Sequence, residues 1–162
     1  MRDFKEKILS SKQLDEVLVR AREEKKTIVS INGSFDLLHA GHLTILFEAK
    51  AQGDLLIAAL NSDESIKQYK GENRPIIPLK FRLEMMAALS CVDYVTWFNE
   101  ADPIALLSQI RPHVHVNGSE YGQDCLESSI VKKNGGRLHI VERVPGLSTS
   151  EVIENAASSL LK

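Results

Sequence analysis

The stretch that decides the fold is TIVSINGSFDLLHAGH, residues 27–42. It opens with a short β-branched run from Thr27 to Ile31, which predicts a strand that stops at Asn32-Gly33. Beyond the loop, apolar residues recur at helical spacing until Gly53, and this pattern predicts a helix. Strand, loop and helix therefore follow one another at this point of the chain.

The same alternation recurs along the rest of the chain. Further strands are predicted at 54–60, 92–98, 114–116 and 138–141, and further helices at 81–90, 103–110, 125–132 and 150–160. Because parallel strands need crossover connections, the alternation predicts a Rossmann-like, doubly wound parallel α/β sheet of about five strands with helices on both faces. We interpret residues 1–162 as a single domain, with an N-terminal helical extension at 1–26.

Composition narrows the classes of function. The chain has 162 residues, is 43% hydrophobic and carries a net charge of −2, so no global basic field is present to hold a nucleic acid. No apolar run approaches the length that spans a bilayer, and the first residues lack a leader-like apolar segment. We expect a cytoplasmic protein that binds small molecules. Cys91 and Cys125 lack the spacing of a zinc site or a disulfide framework.

Ligands of doubly wound sheets bind beyond the carboxyl ends of the strands, at the switch point of the topology. Three loops are predicted to lie there, at 32–42, 61–78 and 117–122. The second is longer than a connection between a strand and a helix normally needs, so we interpret it as a mobile binding flap.

Two histidines flank a glycine at the end of the first loop, in the pattern His39-Ala40-Gly41-His42. Gly41 permits close approach of a phosphate, and the helix that follows offers free N–H donors and the positive end of its dipole. The pattern therefore predicts an anion cradle. Loop or capping roles and zinc ligation remain alternatives for both histidines. We interpret the other histidines, His113, His115 and His139, as structural.

Other polar residues follow the remaining loops. Ser148 or Thr149 is predicted to cap the last helix, whose start is a second place for an anion to bind. Lys67, Lys70 and Arg74 supply cations on the predicted flap, although solvated surface charges are the alternative.

These residues resemble a known family. The segment 33–42, GSFDLLHAGH, resembles the signature loop of the cytidylyltransferase-like nucleotidylyltransferase superfamily. Together with 61–63, 67–76, Arg82 and 146–150, it is most similar to the branch of that family that makes ADP-heptose, and the likeness covers roughly residues 25–155.

The resemblance implies a reaction, in which AMP passes from ATP to a sugar phosphate, D-glycero-D-manno-heptose 1-phosphate, with release of pyrophosphate. It also implies Mg²⁺ carried by ATP, no metal ligands among the protein side chains, and a homo-oligomer. The implied catalytic residues are His39, His42 and Lys70. The implied nucleotide-binding residues are Gly33, Ser34, Phe35, Gly41, Asn117, Gly118, Glu120, Ser148, Thr149 and Ser150. The implied phosphate- or substrate-binding residues are Asp36, Lys67, Arg74, Arg82 and Arg143.

The sequence departs from the family at two places. Ser34 stands where the family usually has Cys, and both side chains are small. Residues 117–121 read Asn-Gly-Ser-Glu-Tyr where the family has Lys-Gly-Gly-Asp-Tyr, which bears on base and sugar preference. Two other functions remain open: a CTP-dependent glycerol-3-phosphate cytidylyltransferase, and a non-catalytic nucleotide-binding regulatory module.

Overall fold

The computed structural model describes residues 3–142 and 144–160. Its five strands are β1 Ile28–Gly33, β2 Leu55–Asn61, β3 Tyr94–Phe98, β4 Val114–Gly118 and β5 Arg137–Val141. Its α-helices are α1 Ser11–Glu23, α2 Ala40–Lys50, α3 Asp63–Lys70, α4 Leu79–Ala88, α5 Ile104–Ile110, α6 Glu127–Lys133 and α7 Thr149–Leu160. In the described part of the chain, none of these helices is both long and apolar enough to span a bilayer.

The five strands form one parallel sheet in the order β3-β2-β1-β4-β5. The chain runs outward from β1 through β2 to β3, and then crosses back to place β4 on the other side of β1. The switch point therefore lies between the carboxyl ends of β1 and β4. This topology confirms the predicted Rossmann-like, doubly wound fold.

Alternate strand side chains enter two separate cores. On one face, residues such as Val29 and Leu56 pack with α2 and α4. On the other face, their neighbours Ile28 and Leu55 pack with α1 and α5. All residues of β2 are buried, as expected for a central parallel strand covered by helices on both sides. The prediction of helices on both faces is confirmed.

The segment before β1 is part of this packing. Leu14 and Leu18 of α1 are buried in the second core, and a capping box between Ser10 and Gln13 starts the helix. The backbone N–H of Leu9 also donates to the carbonyl of Val95 in β3, at 2.8 Å. The described part of the predicted extension, residues 3–26, thus covers one face of the sheet.

Two differences from the sequence-based expectations affect the site. The predicted flap over 61–78 is wrong for its first half, because α3 occupies Asp63–Lys70. Ser62 caps that helix by accepting a hydrogen bond from the N–H of Ser65 at 3.1 Å, and Gly71 ends it with a positive φ of 89°. Helix α2 begins at Ala40, three residues before the predicted apolar stripe, so its first turn contains His42.

Candidate active site

A cavity of about 260 Å³ lies at the switch point of the sheet. Its walls come from the carboxyl ends of β1 and β4, the starts of α2 and α7, and the end of α3. These predicted site residues line it: Gly33, Ser34, Phe35, His39, Gly41, His42, Lys70, Asn117, Gly118, Glu120, Ser148, Thr149 and Ser150. Residues from four separate segments of the sequence are thus brought together in one site.

The starts of two helices converge on this cavity. His39 is the N-cap of α2 and His42 lies in its first turn, with their rings 3.9 Å apart between centroids. Ser148 precedes α7 and accepts a hydrogen bond from the N–H of Glu151 at 3.1 Å. Helix N-termini carry free N–H groups and partial positive charge, so two of them facing one cavity favour an anionic ligand.

Gly41 lets the two helix starts approach each other. A Cβ atom at this position would lie 3.1 Å from the ring of His39 and 3.6 Å from the Cβ of Leu147, just before α7. The first distance is tighter than ordinary van der Waals contact. The absence of a side chain at residue 41 therefore leaves room for the His39 ring beside the α7 start.

The environment of His42 determines its protonation. Burial, together with the neighbouring His39 and Lys70 charges, lowers the pKa of His42 from 6.5 to about 4. The imidazole is therefore neutral near pH 7 without ligand. Its Nδ1 accepts a hydrogen bond from the backbone N–H of His39 at 3.3 Å, which leaves Nε2 to carry the proton as a donor. His42 therefore takes the capping role considered as an alternative for it, and the anion cradle stays a prediction.

Lys70 brings a cation from α3 to the first loop. Its Nζ donates to the Oγ of Ser34 at 3.0 Å. Burial and the nearby Arg74 guanidinium lower the pKa of Lys70. A lysine held at a cavity by a neutral hydroxyl keeps its charge available for an anionic ligand.

Asp36 does not reach the cavity and instead anchors the segment after α3. Its carboxylate is buried and accepts hydrogen bonds from the N–H groups of Ile76 and Ile77, at 2.9 and 2.8 Å, and from Nε of Arg74, at 2.7 Å. Although burial alone would raise it, these donors hold the pKa of Asp36 below its usual value. The resemblance implied that Asp36 and Arg74 bind phosphate or substrate, but in the structure their side chains pair with each other outside the cavity lining.

Arg82 is a buried scaffold residue. Its side chain is fully enclosed and donates to the carbonyls of Ser34, Asn61 and Ile77, at 2.7 to 2.9 Å, and to Oδ1 of Asp63, at 2.7 Å. With these partners inside the protein, the guanidinium does not face the cavity, in contrast to the phosphate- or substrate-binding role that the resemblance implied.

The predicted cation Lys67 lies outside the cavity. Lys67 is exposed on α3 and pairs with Glu72 at 3.8 Å, away from the cavity lining. This position corresponds to the solvated-charge alternative, because the side chain faces water on the outer side of the helix. Arg143, which was also expected to bind phosphate, lies outside the described residues.

The β4 end of the cavity has a polar layer behind it. Asn117 is buried, lines the cavity and donates from Nδ2 to the Sγ of Cys125 at 3.2 Å. The Glu120 carboxylate lies over Gly118, where a side chain would clash with it. Farther in, the Ser30 hydroxyl is 2.7 Å from Nδ1 of His115, which confirms a structural position for that histidine.

The sequence motifs did not identify the apolar walls of the cavity. The motifs are defined mainly by polar and glycine residues, so they do not mark these apolar positions. The apolar lining residues could have been recognised only from their places in the predicted strands and turns. The exposed ring of Tyr121 also borders the cavity. The apolar lining consists of Ile31, Ile45, Val116, Val141, Val144 and Leu147. Such a wall beside a polar cradle suits a ligand with a flat ring and charged groups.

His115 makes fold stability depend on pH. Burial, partly opposed by the Glu127 charge, lowers the pKa of His115 from 6.5 to about 4. Because the unfolded chain binds the proton more tightly, this group stabilises the fold above pH 6.5, and its contribution is lost as the pH falls toward 4. We expect a loss of about 3 kcal/mol from this residue between those values.

Urea unfolding of the wild type and of His115→Gln from pH 7 to pH 4 measures this effect. The substituted protein should show a shallower decline of the free energy of unfolding with falling pH, whatever its stability at pH 7. Parallel declines in the two proteins would contradict the assignment.

The chain matches known proteins over most of its length. A sequence profile described as cytidylyltransferase-like matches residues 30–160. The bifunctional protein HldE of Syntrophotalea carbinolica is 41% identical over 153 residues, covering 94% of this chain and 31% of that protein. The bifunctional protein HldE of Pseudomonas entomophila is 44% identical over 148 residues, covering 91% of this chain and 31% of the relative. The chain therefore spans about a third of the length of these curated relatives.

Two solved structures share the fold. The lipopolysaccharide core biosynthesis protein from Thermoplasma volcanium GSS1 matches with a TM-score of 0.60 and 30% identity, covering 74% of this chain and 97% of that one. The pantoate-beta-alanine ligase from Francisella tularensis matches with a TM-score of 0.66 and 19% identity, covering 91% and 72%. The second match shows likeness of fold alone.

With a doubly wound parallel sheet and a cavity between two helix starts at its switch point, the domain has the architecture of α/β nucleotide-binding proteins. The profile match and the identity to the Thermoplasma protein narrow that class. The chain belongs to the cytidylyltransferase-like family, which confirms the resemblance inferred from its motifs.

Proposed function

We propose that the chain is an adenylyltransferase that transfers AMP from ATP to D-glycero-D-manno-heptose 1-phosphate, giving ADP-heptose and pyrophosphate. The observation that carries the proposal is the meeting of two helix N-termini, at His39 and Ser148, in one cavity with Lys70. Free N–H groups, imidazoles and a lysine suit a polyphosphate. The identity to bifunctional HldE proteins supports the ADP-heptose branch for this segment.

In the proposed reaction, an oxygen of the sugar phosphate attacks the α-phosphorus of ATP. The bond from that phosphorus to its bridging oxygen breaks, and pyrophosphate leaves from the opposite side. Such transfers depend mainly on positioning and on stabilising the developing charge, so no protein nucleophile is needed. The Nε2–H of His42 and the Lys70 ammonium would stabilise that charge. A bound triphosphate would raise the pKa of His42 and favour its protonated form.

Mg²⁺ is proposed to arrive bound to ATP. The cavity offers carboxylate oxygens at Glu120 and Glu142, the hard ligands that this ion prefers. Within residues 3–142 and 144–160, no group of three acidic, histidine or cysteine side chains is placed to hold a metal ion. Magnesium in nucleotide sites usually keeps several waters and is held by substrate phosphates with one or two carboxylates. When bound, it would neutralise part of the charge on the leaving pyrophosphate.

We also propose that the protein acts in the cytoplasm as a homo-oligomer on small molecules alone, without nucleic acid. The slight net negative charge of −2 supports the last point, because a nucleic-acid backbone needs an excess of cations. Light scattering coupled to size-exclusion chromatography measures the oligomeric state, and a monomer at working concentration would contradict this part of the proposal.

The decisive test is a matrix of pyrophosphate-release assays. ATP and CTP are each paired with heptose 1-phosphate, other sugar 1-phosphates and glycerol 3-phosphate, in the presence of Mg²⁺. We expect the highest kcat/KM for ATP with heptose 1-phosphate. Activity only with CTP and glycerol 3-phosphate would replace the substrates while keeping the chemistry. Nucleotide binding without release in any pairing would identify a non-catalytic binding module.

A further inference from the structure

Asn32 lines the cavity near the carboxyl end of β1, and the proposed reaction gives it no role. Its side-chain oxygen, Oδ1, is enclosed, and within residues 3–142 and 144–160 no group donates a hydrogen bond to it. An enclosed carbonyl oxygen without a donor destabilises the fold, so proteins keep such groups mainly where water or a ligand supplies the hydrogen. The position of Asn32 at the cavity points to a ligand.

The side chain of Asn32 lies on the opposite face of the sheet from the two helix starts. Along β1, Val29 and Ile31 pack in the core beneath α2, whereas Ile28 packs in the core beneath α1. Because side chains alternate along a strand, Asn32 is on the Ile28 side. Its partner in β2, Ala59, packs in that same core, which agrees with this placement. The starts of α2 and α7 meet on the α2 side.

In-line transfer puts the two exchanging oxygens on opposite sides of the site. The attacking oxygen and the leaving oxygen lie on either side of the α-phosphorus. In the proposed function, the helix starts at His39 and Ser148 bind the polyphosphate, so the leaving pyrophosphate is on the α2 side of the cavity. The acceptor sugar then approaches from the side on which Asn32 lies.

We propose that Asn32 binds a hydroxyl group of the acceptor sugar and so contributes to the choice of acceptor. The inference rests on the proposed function, since it assigns this side of the cavity to the sugar phosphate. A sugar hydroxyl can donate to Oδ1 and supply the hydrogen bond that the described chain does not. Ionised phosphate oxygens are acceptors and cannot take this place. The adenine amino group and the ribose hydroxyls of ATP are competing donors, and they predict a different kinetic result.

The chain offers a matched control in Asn134, which follows α6 as its C-cap. The Nδ2 of Asn134 is also enclosed and has no partner in the described part of the chain, but the residue does not line the cavity. Leucine has nearly the shape of asparagine and no polar atom. Asn32→Leu and Asn134→Leu therefore remove the same group from two places, and loss of an unpaired polar group should not lower stability.

The first test compares the steady-state kinetics and melting temperatures of these two variants with those of the wild type. We expect Asn32→Leu to raise the KM for heptose 1-phosphate about three- to tenfold, the size of one hydrogen bond, and to leave the KM for ATP nearly unchanged. Its melting temperature should equal or exceed that of the wild type, whereas a structural hydrogen bond would lower it when lost. Asn134→Leu should keep both KM values.

Three results of this comparison would overturn the inference. An unchanged KM for heptose 1-phosphate in Asn32→Leu would indicate that Oδ1 meets only water. A rise confined to the KM for ATP would place the amide against the nucleotide instead. A rise in both KM values together with a lower melting temperature would indicate a structural role.

The second test identifies the hydroxyl group without relying on catalysis. Calorimetry measures the binding of heptose 1-phosphate, and of analogues that each lack one hydroxyl, in the presence of an ATP analogue with a methylene bridge between the α- and β-phosphates. We expect one of these analogues to bind the wild type about three- to tenfold more weakly than the parent sugar, and to bind Asn32→Leu as well as the parent does. If every analogue lost the same factor in both proteins, the inference would be overturned.

The proposed function and this inference fail in different ways. Weaker sugar binding by Asn32→Leu, together with a wild type that releases no pyrophosphate in any pairing, would reject the proposed function and retain the inference. Release from ATP and heptose 1-phosphate, with equal sugar affinity in the two proteins, would reject the inference alone. A wild type that does not bind the sugar phosphate would reject both.

Discussion

Replacing His42 with alanine should lower kcat by about two to three orders of magnitude, the effect of removing one donor to the developing charge. The residue is the only first-turn imidazole of α2, it lines the cavity, and its Nε2–H is a donor at neutral pH. Lost transition-state stabilisation should appear in kcat with both substrates saturating, while the KM for ATP rises less. Pyrophosphate release under saturation measures this change.

The matched control for this substitution is His139→Ala. His139 lies on β5, its Nε2 is 3.9 Å from the Glu48 carboxylate and it does not line the cavity, so its loss should leave kcat close to that of the wild type. Removing His42 also deletes the acceptor for the N–H of His39, at a cost of about 1 kcal/mol in fold stability. Circular dichroism should therefore show a folded protein. An unchanged kcat in His42→Ala would refute the assignment.

Replacing Arg82 with methionine should destabilise the fold by about 3–5 kcal/mol, because it leaves buried partners without their donor. Asp63 would lose a charged partner at 2.7 Å, and the carbonyls of Ser34 and Asn61 would each lose a hydrogen bond. Methionine fills much of the same volume, so the effect isolates the polar contacts. Urea unfolding at pH 7 gives the free energy of unfolding.

Lys80→Met provides the comparison on the same helix. Lys80 is an exposed cation of α4, and surface substitutions of this kind usually change stability by less than about 0.5 kcal/mol. If Arg82→Met unfolded like the wild type but showed a large rise in the KM of the sugar phosphate, the residue would bind substrate, as the family resemblance suggested. A large loss of stability supports the scaffold role instead.

The sheet was predictable because each strand has a recognisable pattern of apolar residues in its own short stretch of sequence. A strand such as β2, buried on both faces, reads as a continuous apolar run, and each is separated from the next by a helical pattern. The order β3-β2-β1-β4-β5 was not predicted, because doubly wound sheets with right-handed crossovers also occur in the order 2-1-3-4-5.

The roles of the charged residues were less predictable, because the sequence does not show whether a charged side chain pairs with a ligand or with another residue of the protein. Asp36 and Arg82 look like ligand-binding groups in a signature motif, yet both are buried and satisfied by the protein itself. Helix α3 was missed because its sequence is mostly polar and only Ser65 and Ile66 are buried. Its cap at Ser62 and the acidic residues of its first turn were the available signals.

The position of the candidate site was predictable from topology, but its construction was not. The sequence placed His39 and His42 before a helix, whereas in the structure that helix already begins at Ala40. Gly41 lies close enough to Leu147 that an added Cβ would be 3.6 Å from the Leu147 Cβ, and no local pattern indicates that these two distant segments meet.

The closeness of Gly41 to Leu147 has a consequence for synthesis of the protein. A ribosome makes the first loop, 33–42, long before the start of α7 at Ser148 and Thr149. A chain that has been made only as far as the middle of the domain therefore has the first of the two proposed anion-binding helix starts. It lacks the α7 start that would lie beside Gly41. ATP should be retained only after the last helix has settled on the first loop, so nucleotide capture would mark a finished domain.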